Sequence, residues 1–598
     1  MFTTRPELRG TFGMVASTHW LASAAGMAAL ERGGNAFDAA VATGFALQVV
    51  EPHLNGPGGE VPILFARAGA DRVEGICGQG VAPAKATIQH YRSEGLTLVP
   101  GSGLLAAVVP GAFDAWMLML RDHGTMRPRE VLSYAIDLAR TGYPLVERIC
   151  ETIASVGALF QSEWRSSAAL YLPGGKVPQP GTLFRNPVLA DSYERTVREA
   201  EAAGSSREKQ IEAARRAWSQ GFVAEAIDRF CRTQEVMDSS GRRHKGVLTA
   251  DDMARWQASH EAPLTYDYKG TTVAKFGPWC QGPVFLQQLA LLQTYDLGKM
   301  DPLGPDFVHL VTEAAKLAFA DREAFYGDPN FVEVPTLRLL SADYAAERRR
   351  LISAQASPEL RPGSIPGFGG PVDYESAVGA FGGPAGFDPI GGGEPTTQGT
   401  LGQTRPGDTC HLDVVDRAGN MVSATPSGGW LHSSPIIPEL GLCLGSRAQM
   451  FWLEEGLPAS LAPGKRPRST LTPSLALRDA KAWLAFGTPG GDYQDQWSLT
   501  FFLHHMHHGM NLQEAIDAPM FHTDHMPSSF WPRTAQPASL SLEARFPEKT
   551  VRELQRRGHR VTVTEPWSLG RLSAAAREGA LLKAAANPRF MQGYAAGR

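Results

Sequence analysis

The sequence has little of what marks a disulfide scaffold, a membrane protein or a nucleic-acid binder. Six cysteines occur in 598 residues, Cys77, Cys150, Cys231, Cys280, Cys410 and Cys443, with no CxxC pair and no zinc-finger spacing. Sparse, unpatterned cysteine fits a reducing compartment better than a disulfide framework. There is no basic excess: a formal net charge of −4 excludes the global positive field that nucleic acid requires. Long apolar runs are also lacking. Met1 to Gly10 carry no apolar h-region, and the mildly apolar stretch 21–29 reads as part of a helix. A cytoplasmic protein without signal peptide or membrane span is therefore expected.

What is present suits a large folded body. At 43% hydrophobic, the chain can bury an extensive core. Residues 21–32 and 36–49 read as helices joined by Gly33-Gly34, with Asn35 as N-cap and Asp38 in the first turn, where an acid complements the helix dipole. Segments 128–141, 207–230 and 306–326 read as helices too. In the last, Val311, Ala314, Ala315, Ala318, Phe319 and Phe325 share one face. Residues 362–408 hold 14 Gly and 7 Pro, the composition of a mobile linker. Beyond it, 412–416 and 420–425 flank Arg417-Ala418-Gly419 as a β-hairpin. A second strand pair, 475–477 and 483–486, surrounds Arg478-Asp479-Ala480, and 513–518 reads as a short helix. The pattern by itself says only mixed α and β.

The junction Arg405-Pro406-Gly407-Asp408 followed by Thr409-Cys410-His411 joins the linker to a strand that begins with a hydroxyl. Many strands begin with Thr after a loop. A cut before Thr409, however, would place a hydroxyl and a free α-amine on one residue, a nucleophile carrying its own base. The reference pKa of an α-amine is about 7.7–8.0, so a slight depression suffices at neutral pH.

Ordered segments extend this reading along nearly the whole chain: Gly33-Gly34-Asn35-Ala36-Phe37-Asp38, Glu51-Pro52-His53, Val109-Pro110-Gly111, Ala318-Phe319-Ala320-Asp321-Arg322, Gly327-Asp328-Pro329, Lys465-Arg466-Pro467-Arg468-Ser469-Thr470 and Gly487-Thr488-Pro489-Gly490-Gly491. Through them the chain resembles the γ-glutamyltransferase family of N-terminal-nucleophile hydrolases. The resemblance implies an α/β fold, a four-layer α-β-β-α sandwich built from two chains after autocleavage at Asp408–Thr409. Residues 1–408 would form the large subunit and 409–598 the small catalytic one. It implies Thr409 as nucleophile and Ser427, where the family carries Thr, as its hydrogen-bond partner. Gly490 and Gly491 would supply oxyanion N–H groups, against the plain alternative of an ordinary β-turn. Ser469 and Thr470 match a Ser-Ser pair that holds substrate. No organic cofactor and no metal are implied. The expected partners are a small-molecule amide, with an acidic one as an option, and the second subunit after cleavage; a homo-oligomer is left open.

The resemblance fails at the substrate clamp. Gln79 stands where glutathione-using members have an Arg for the glutamyl carboxylate. Arg447 and Met450 stand where acidic or amide residues hold the α-amino group, and Gly429 replaces an Asn. Loss of a charge-assisted clamp removes roughly 1.5–3 kcal/mol of binding. The expectation is an amidohydrolase not tuned to glutathione, with Arg447 either a surface cation or a pocket residue that receives a substrate carboxylate. Two rivals remain at this point: a true γ-glutamyltransferase with a rebuilt clamp, and an uncut pseudoenzyme or binding protein. Other features read more plainly. His504-His505-Met506-His507-His508 is expected as an exposed or partly satisfied helix face rather than a metal site. His522-Thr523-Asp524-His525 is a second polar knot, and Arg348-Arg349-Arg350 a solvated helix end. Cys410 would become the nucleophile only if cutting fell one bond later.

Overall fold

The computed structural model describes residues 3–371, 373–376 and 409–598. Asp408 and most of the Gly/Pro-rich tract lie outside the described residues. In chain order the principal strands are β1 (Leu8–Gly10), β2 (Gly13–Ser17), β3 (Val61–Ala66), β4 (Glu74–Gly78), β5 (Ser259–Glu261), β6 (Leu264–Tyr268), β7 (Thr271–Lys275), β8 (Leu412–Asp416), β9 (Met421–Ala424), β10 (Ser474–Arg478), β11 (Lys481–Gly487), β12 (Ser573–Glu578), β13 (Leu581–Ala586) and β14 (Tyr594–Gly597). They form two seven-stranded sheets, ordered β1-β13-β12-β11-β10-β7-β6 and β14-β2-β8-β9-β3-β4-β5. Each sheet mixes strands from both sides of residue 408.

Side-chain alternation along the strands builds the layers. In β2, Val15 joins the helix-covered core, whereas Met14 and Ala16 face the other sheet. In β10 to β12, Ala476, Leu484, Phe486, Ala574 and Ala576 turn to the opposite helices, whereas Leu475, Leu477, Ala485 and Ala575 meet the sheet that contains β2. Helices α1 (Trp20–Glu31), α2 (Ala36–Val50) and α3 (Ala112–His123) cover one outer face. Helices α4 (Gly282–Leu292), α5 (Pro305–Phe325) and α6 (Gln494–His507) cover the other. The result is the expected α-β-β-α sandwich.

Local expectations hold where short-range chemistry rules. Asn35 caps α2, accepting from Phe37 and Asp38 N–H while the Asp38 carboxylate accepts from Asn35 N–H. The Asp479-Ala480 turn joins β10 and β11 with both residues at positive φ. Elsewhere packing intervenes. The single helix expected over 207–230 is two, Arg207–Ser219 and Phe222–Thr233, broken at Gln220-Gly221. The α5 helix is buried almost all round, not on one face, because sheet and neighbouring helices enclose it. Arg348 is no solvated helix end: it is buried 3.3 Å from Asp321. His504 is fully buried, stacked on Phe307 with centroids 5.6 Å apart.

Burial depresses several histidines. His19, His504 and His525 are each pushed down to about 3, and His507 to about 4. Their unfolded pKa is near 6.5, so between about pH 3 and 6.5 the unfolded chain binds more protons. Stability from these groups is complete above pH 6.5 and is lost as pH falls toward 3. The melting temperature should therefore drop steeply from pH 6.5 to 4, with a shallower fall in His504→Phe. An unchanged slope in that variant would remove His504 from this account.

Candidate active site

Hairpin register builds the centre of the site. In the β8–β9 pair Leu412 lies opposite Ala424. Continuing three residues in each direction brings Thr409 opposite Ser427, where the two form an isolated antiparallel bridge. The hydroxyls Thr409 Oγ1 and Ser427 Oγ lie 3.2 Å apart, both buried. Cys410 N–H donates to the Pro426 carbonyl at 2.9 Å, fixing the same register.

Ser427 is itself clamped to the segment after α2. Its N–H donates to the Glu60 carbonyl at 3.0 Å, and Glu60 N–H donates back at 2.9 Å. The Glu60 carboxylate accepts from Arg447 Nε at 2.6 Å, and Arg447 Nη2 donates to Ser427 Oγ at 3.0 Å. Burial pushes the Glu60 carboxyl up, opposed by the adjacent guanidinium. Arg447 is thus an interior cation matched by an interior carboxylate, not a surface charge. Its Nη1 lies 3.8 Å from Met450 Sδ, and Trp430 packs against it. The glycine in place of Asn is also explained. Gly429 sits at φ 64°, and a Cβ there would come within 2.9 Å of the Gly58 backbone.

Beyond β11 the chain turns through Gly490 at φ 127° and Gly491 at φ 52° into a 3₁₀ turn, Gly491–Tyr493, that runs into α6. A Cβ on Gly490 would meet the Trp497 ring at 2.4 Å, so this position admits only glycine. The turn is held from several sides. Gln281 Nε2 donates to the Gly491 carbonyl at 3.1 Å, and Arg322 donates to Gln281 Oε1 at 2.9 Å and to the Asp492 carboxylate. Ser469 belongs to the same assembly through backbone bonds of 2.9 Å to Trp279 and Gln281. Thr470 Oγ1 next to it is buried without a hydrogen-bond partner among the described residues.

Arg571, which the sequence did not single out, joins the two groups. Its N–H donates to Thr488 Oγ1 at 3.1 Å, and its Nη2 lies 3.4 Å from the Thr409 carbonyl. Behind Thr409, the Cys410 thiol donates to Glu51 at 2.9 Å, and Thr18 and Gln592 donate to the same carboxylate. Burial, followed by Glu51, raises the Cys410 thiol well above its ordinary value, which disfavours the thiolate needed for a rival nucleophile. Gln79, at the end of β4, donates to the Gly80 carbonyl at 3.1 Å, and its Oε1 has no partner among the described residues.

Asp328 has a structural role: it receives Arg466 N–H at 2.9 Å and its guanidinium at 2.7 Å. Among the described residues, His309, Glu313 and His559 place metal-ligating atoms near one another. Lys316 and Arg361 already bind Glu313 at 2.6 and 3.0 Å, supplying the positive charge that a cation would bring.

Comparison with known proteins identifies the family. The family model described as gamma-glutamyltranspeptidase matches residues 22–597. The glutathione hydrolase-like YwrD proenzyme of Bacillus subtilis (strain 168) is 30% identical over 589 residues, 97% of each chain. The acylase ACY 1 proenzyme of Pseudomonas sp. (strain SE83) is 31% identical over 582 residues, 95% of this chain and 90% of that one. Among solved structures, LmbA2991HD superposes with a TM-score of 0.92 at 57% identity, covering 100% of both chains. The chain belongs to the γ-glutamyltranspeptidase family and is an amide hydrolase or acyltransferase of the N-terminal-nucleophile class.

Proposed function

We propose that the chain is a proenzyme that cuts itself between Asp408 and Thr409 and then hydrolyses a small amide other than glutathione. The observation that carries this reading is the buried Thr409–Ser427 hydroxyl pair at 3.2 Å, tied through Arg571 to Thr488, two residues before Gly490. After cutting, the Thr409 α-amine takes the hydroxyl proton as Oγ1 adds to the amide carbon. The N–H groups of Gly490 and Gly491 receive the oxyanion, and the ammonium returns the proton to the departing amine. Water then opens the Thr409 ester. Residues 1–408 and 409–598 stay together because their strands share both sheets.

Two features favour a non-glutathione substrate. Gln79 cannot form the bidentate contact that an Arg gives a glutamyl carboxylate. Arg447 occupies the ammonium-binding region with its charge already matched by Glu60, which leaves no spare anion for a substrate ammonium. Gln79 Oε1 and Thr470 Oγ1, without partners among the described residues, offer polar contacts to a substrate instead. The six cysteines are free and buried, which suits a reducing, cytoplasmic setting.

Intact mass under denaturing conditions tests the first step. Fragments of roughly 44 and roughly 20 kDa should replace the 64.5 kDa chain, the smaller beginning Thr409-Cys410-His411. The processed enzyme should then release amine from simple acyl amides at least about tenfold faster than from γ-glutamyl-p-nitroanilide. The reverse preference would establish a rebuilt γ-glutamyl clamp, and a chain that stays whole would favour the binding-protein reading.

A further inference from the structure

The carboxylate of Glu60 is a group that the proposed chemistry does not yet use. It sits 1% exposed beside the equally buried Arg447, at the end of a chain of contacts that leads to the nucleophile: Glu60 to Arg447 Nε at 2.6 Å, Arg447 Nη2 to Ser427 Oγ at 3.0 Å, Ser427 Oγ to Thr409 Oγ1 at 3.2 Å. Each link has a fixed geometry. The reciprocal backbone bonds of Glu60 and Ser427 hold the two residues side by side. Gly428 at φ 78° leaves room beneath the carboxylate, where a Cβ would come within 2.8 Å of both its oxygens. Met450 and Trp430 pack against the guanidinium, which is 1% exposed.

The direction of the bond from Arg447 follows from chemistry. A guanidinium has donors only, so the bond from Arg447 uses a lone pair of Ser427 Oγ. That contact draws electron density from the hydroxyl and makes its O–H a stronger donor. Thr409 Oγ1 is the oxygen across the hairpin.

We propose that Glu60 and Arg447 are positioning residues that make Ser427 a hydrogen-bond donor to Thr409 Oγ1, so that the pair chiefly assists departure of the Thr409 oxygen. This rests on the reading of Thr409 as nucleophile. In acyl-enzyme hydrolysis, water adds to the ester carbon, the bond from that carbon to Thr409 Oγ1 breaks, and its electron pair stays on the oxygen. The proton released by the water passes through the α-amine to Oγ1, giving back the hydroxyl and releasing the acid. A donor already aimed at Oγ1 stabilises the charge as that bond breaks. Glu60 holds the guanidinium in the orientation that serves Ser427 and offsets its charge where both side chains are buried.

The test uses the full-length enzyme with Glu60→Gln and Arg447→Lys, assayed per processed active site. Both variants should lose about 30–100-fold in kcat with KM changed less than threefold, and the small fragment should carry a retained acyl mass during turnover. The double variant should be no slower than the worse single one, because both act through Ser427. Wild-type kcat in either single variant, or a loss confined to KM with no retained acyl mass, overturns the proposal. Should Glu60→Gln fail to fold, Ser427→Ala removes only the final donor. It must show the same acyl accumulation, and rapid deacylation in that variant overturns the proposal equally. Wild-type protein that remains uncut would instead refute Thr409 as nucleophile, so the two failures are distinct.

Discussion

Thr409→Ala should leave a single 64.5 kDa chain with no detectable turnover. In the proposed chemistry the same oxygen is required twice: first to attack the preceding carbonyl and free the α-amine, then to attack substrate. Removal of an essential nucleophile costs on the order of 10⁴–10⁶-fold in rate. Folding should survive, because a buried methyl remains and the Ser427 hydroxyl keeps its bond from Arg447 at 3.0 Å. Thr409→Ser should cut and turn over more slowly, since the hydroxyl remains but loses the methyl that limits its rotamers. Intact mass and amide hydrolysis read both variants. An active, uncut Thr409→Ala protein would transfer the chemistry to another residue.

The second large effect is expected at Arg322, a residue remote in sequence from the Gly-Gly turn. Its guanidinium donates to Glu323 at 2.9 Å, to Gln281 at 2.9 Å and to Asp492, and it is fully buried. Gln281 in turn holds the Gly491 carbonyl, and Asp492 follows Gly491 directly. Asp492 also accepts Ser529 N–H at 2.8 Å and its hydroxyl at 2.6 Å. Arg322→Met should destabilise by about 3–5 kcal/mol, the usual consequence of leaving buried carboxylates without a partner. It should further reduce kcat by roughly 10²-fold, as for a displaced oxyanion donor. Arg348→Met supplies the contrast. That arginine also meets a buried carboxylate, Asp321, at 3.3 Å, but away from the turn. It should lower the urea midpoint while leaving turnover per processed site near wild type. If Arg322→Met kept full kcat, the turn would be held without it.

Short-range order explains what could be read early. The Thr409–Ser427 opposition follows from a hairpin whose strands and Gly419 turn are visible as pattern, because register propagates along paired strands. Asn35 and Asp38 form a cap because both partners lie within one helical turn. The helix break at Gln220-Gly221 was hidden by continuous amphipathic spacing on both sides. Charge and polarity usually face water, which makes an exposed or partly satisfied helix face the expectation for His504 and a solvated helix end that for Arg348. Their burial is decided by Phe307 and Asp321, which lie far away along the chain.

By itself the sequence determined the class of the protein, the neighbourhood of the proposed nucleophile Thr409 and the glycines at the turn, since each rests on residue type within a short stretch. Only the tertiary structure decided which charges meet. Arg447 could have faced solvent, a substrate or any of many carboxylates, and it meets Glu60, 387 positions away. Arg571 reaches Thr409 across 162 positions, and Arg322 reaches Asp492 across 170. Charge pairing acts through space and leaves no period along the chain, so the groups that set the electrostatics of this site become visible only when the two sheets and their covering helices bring them together.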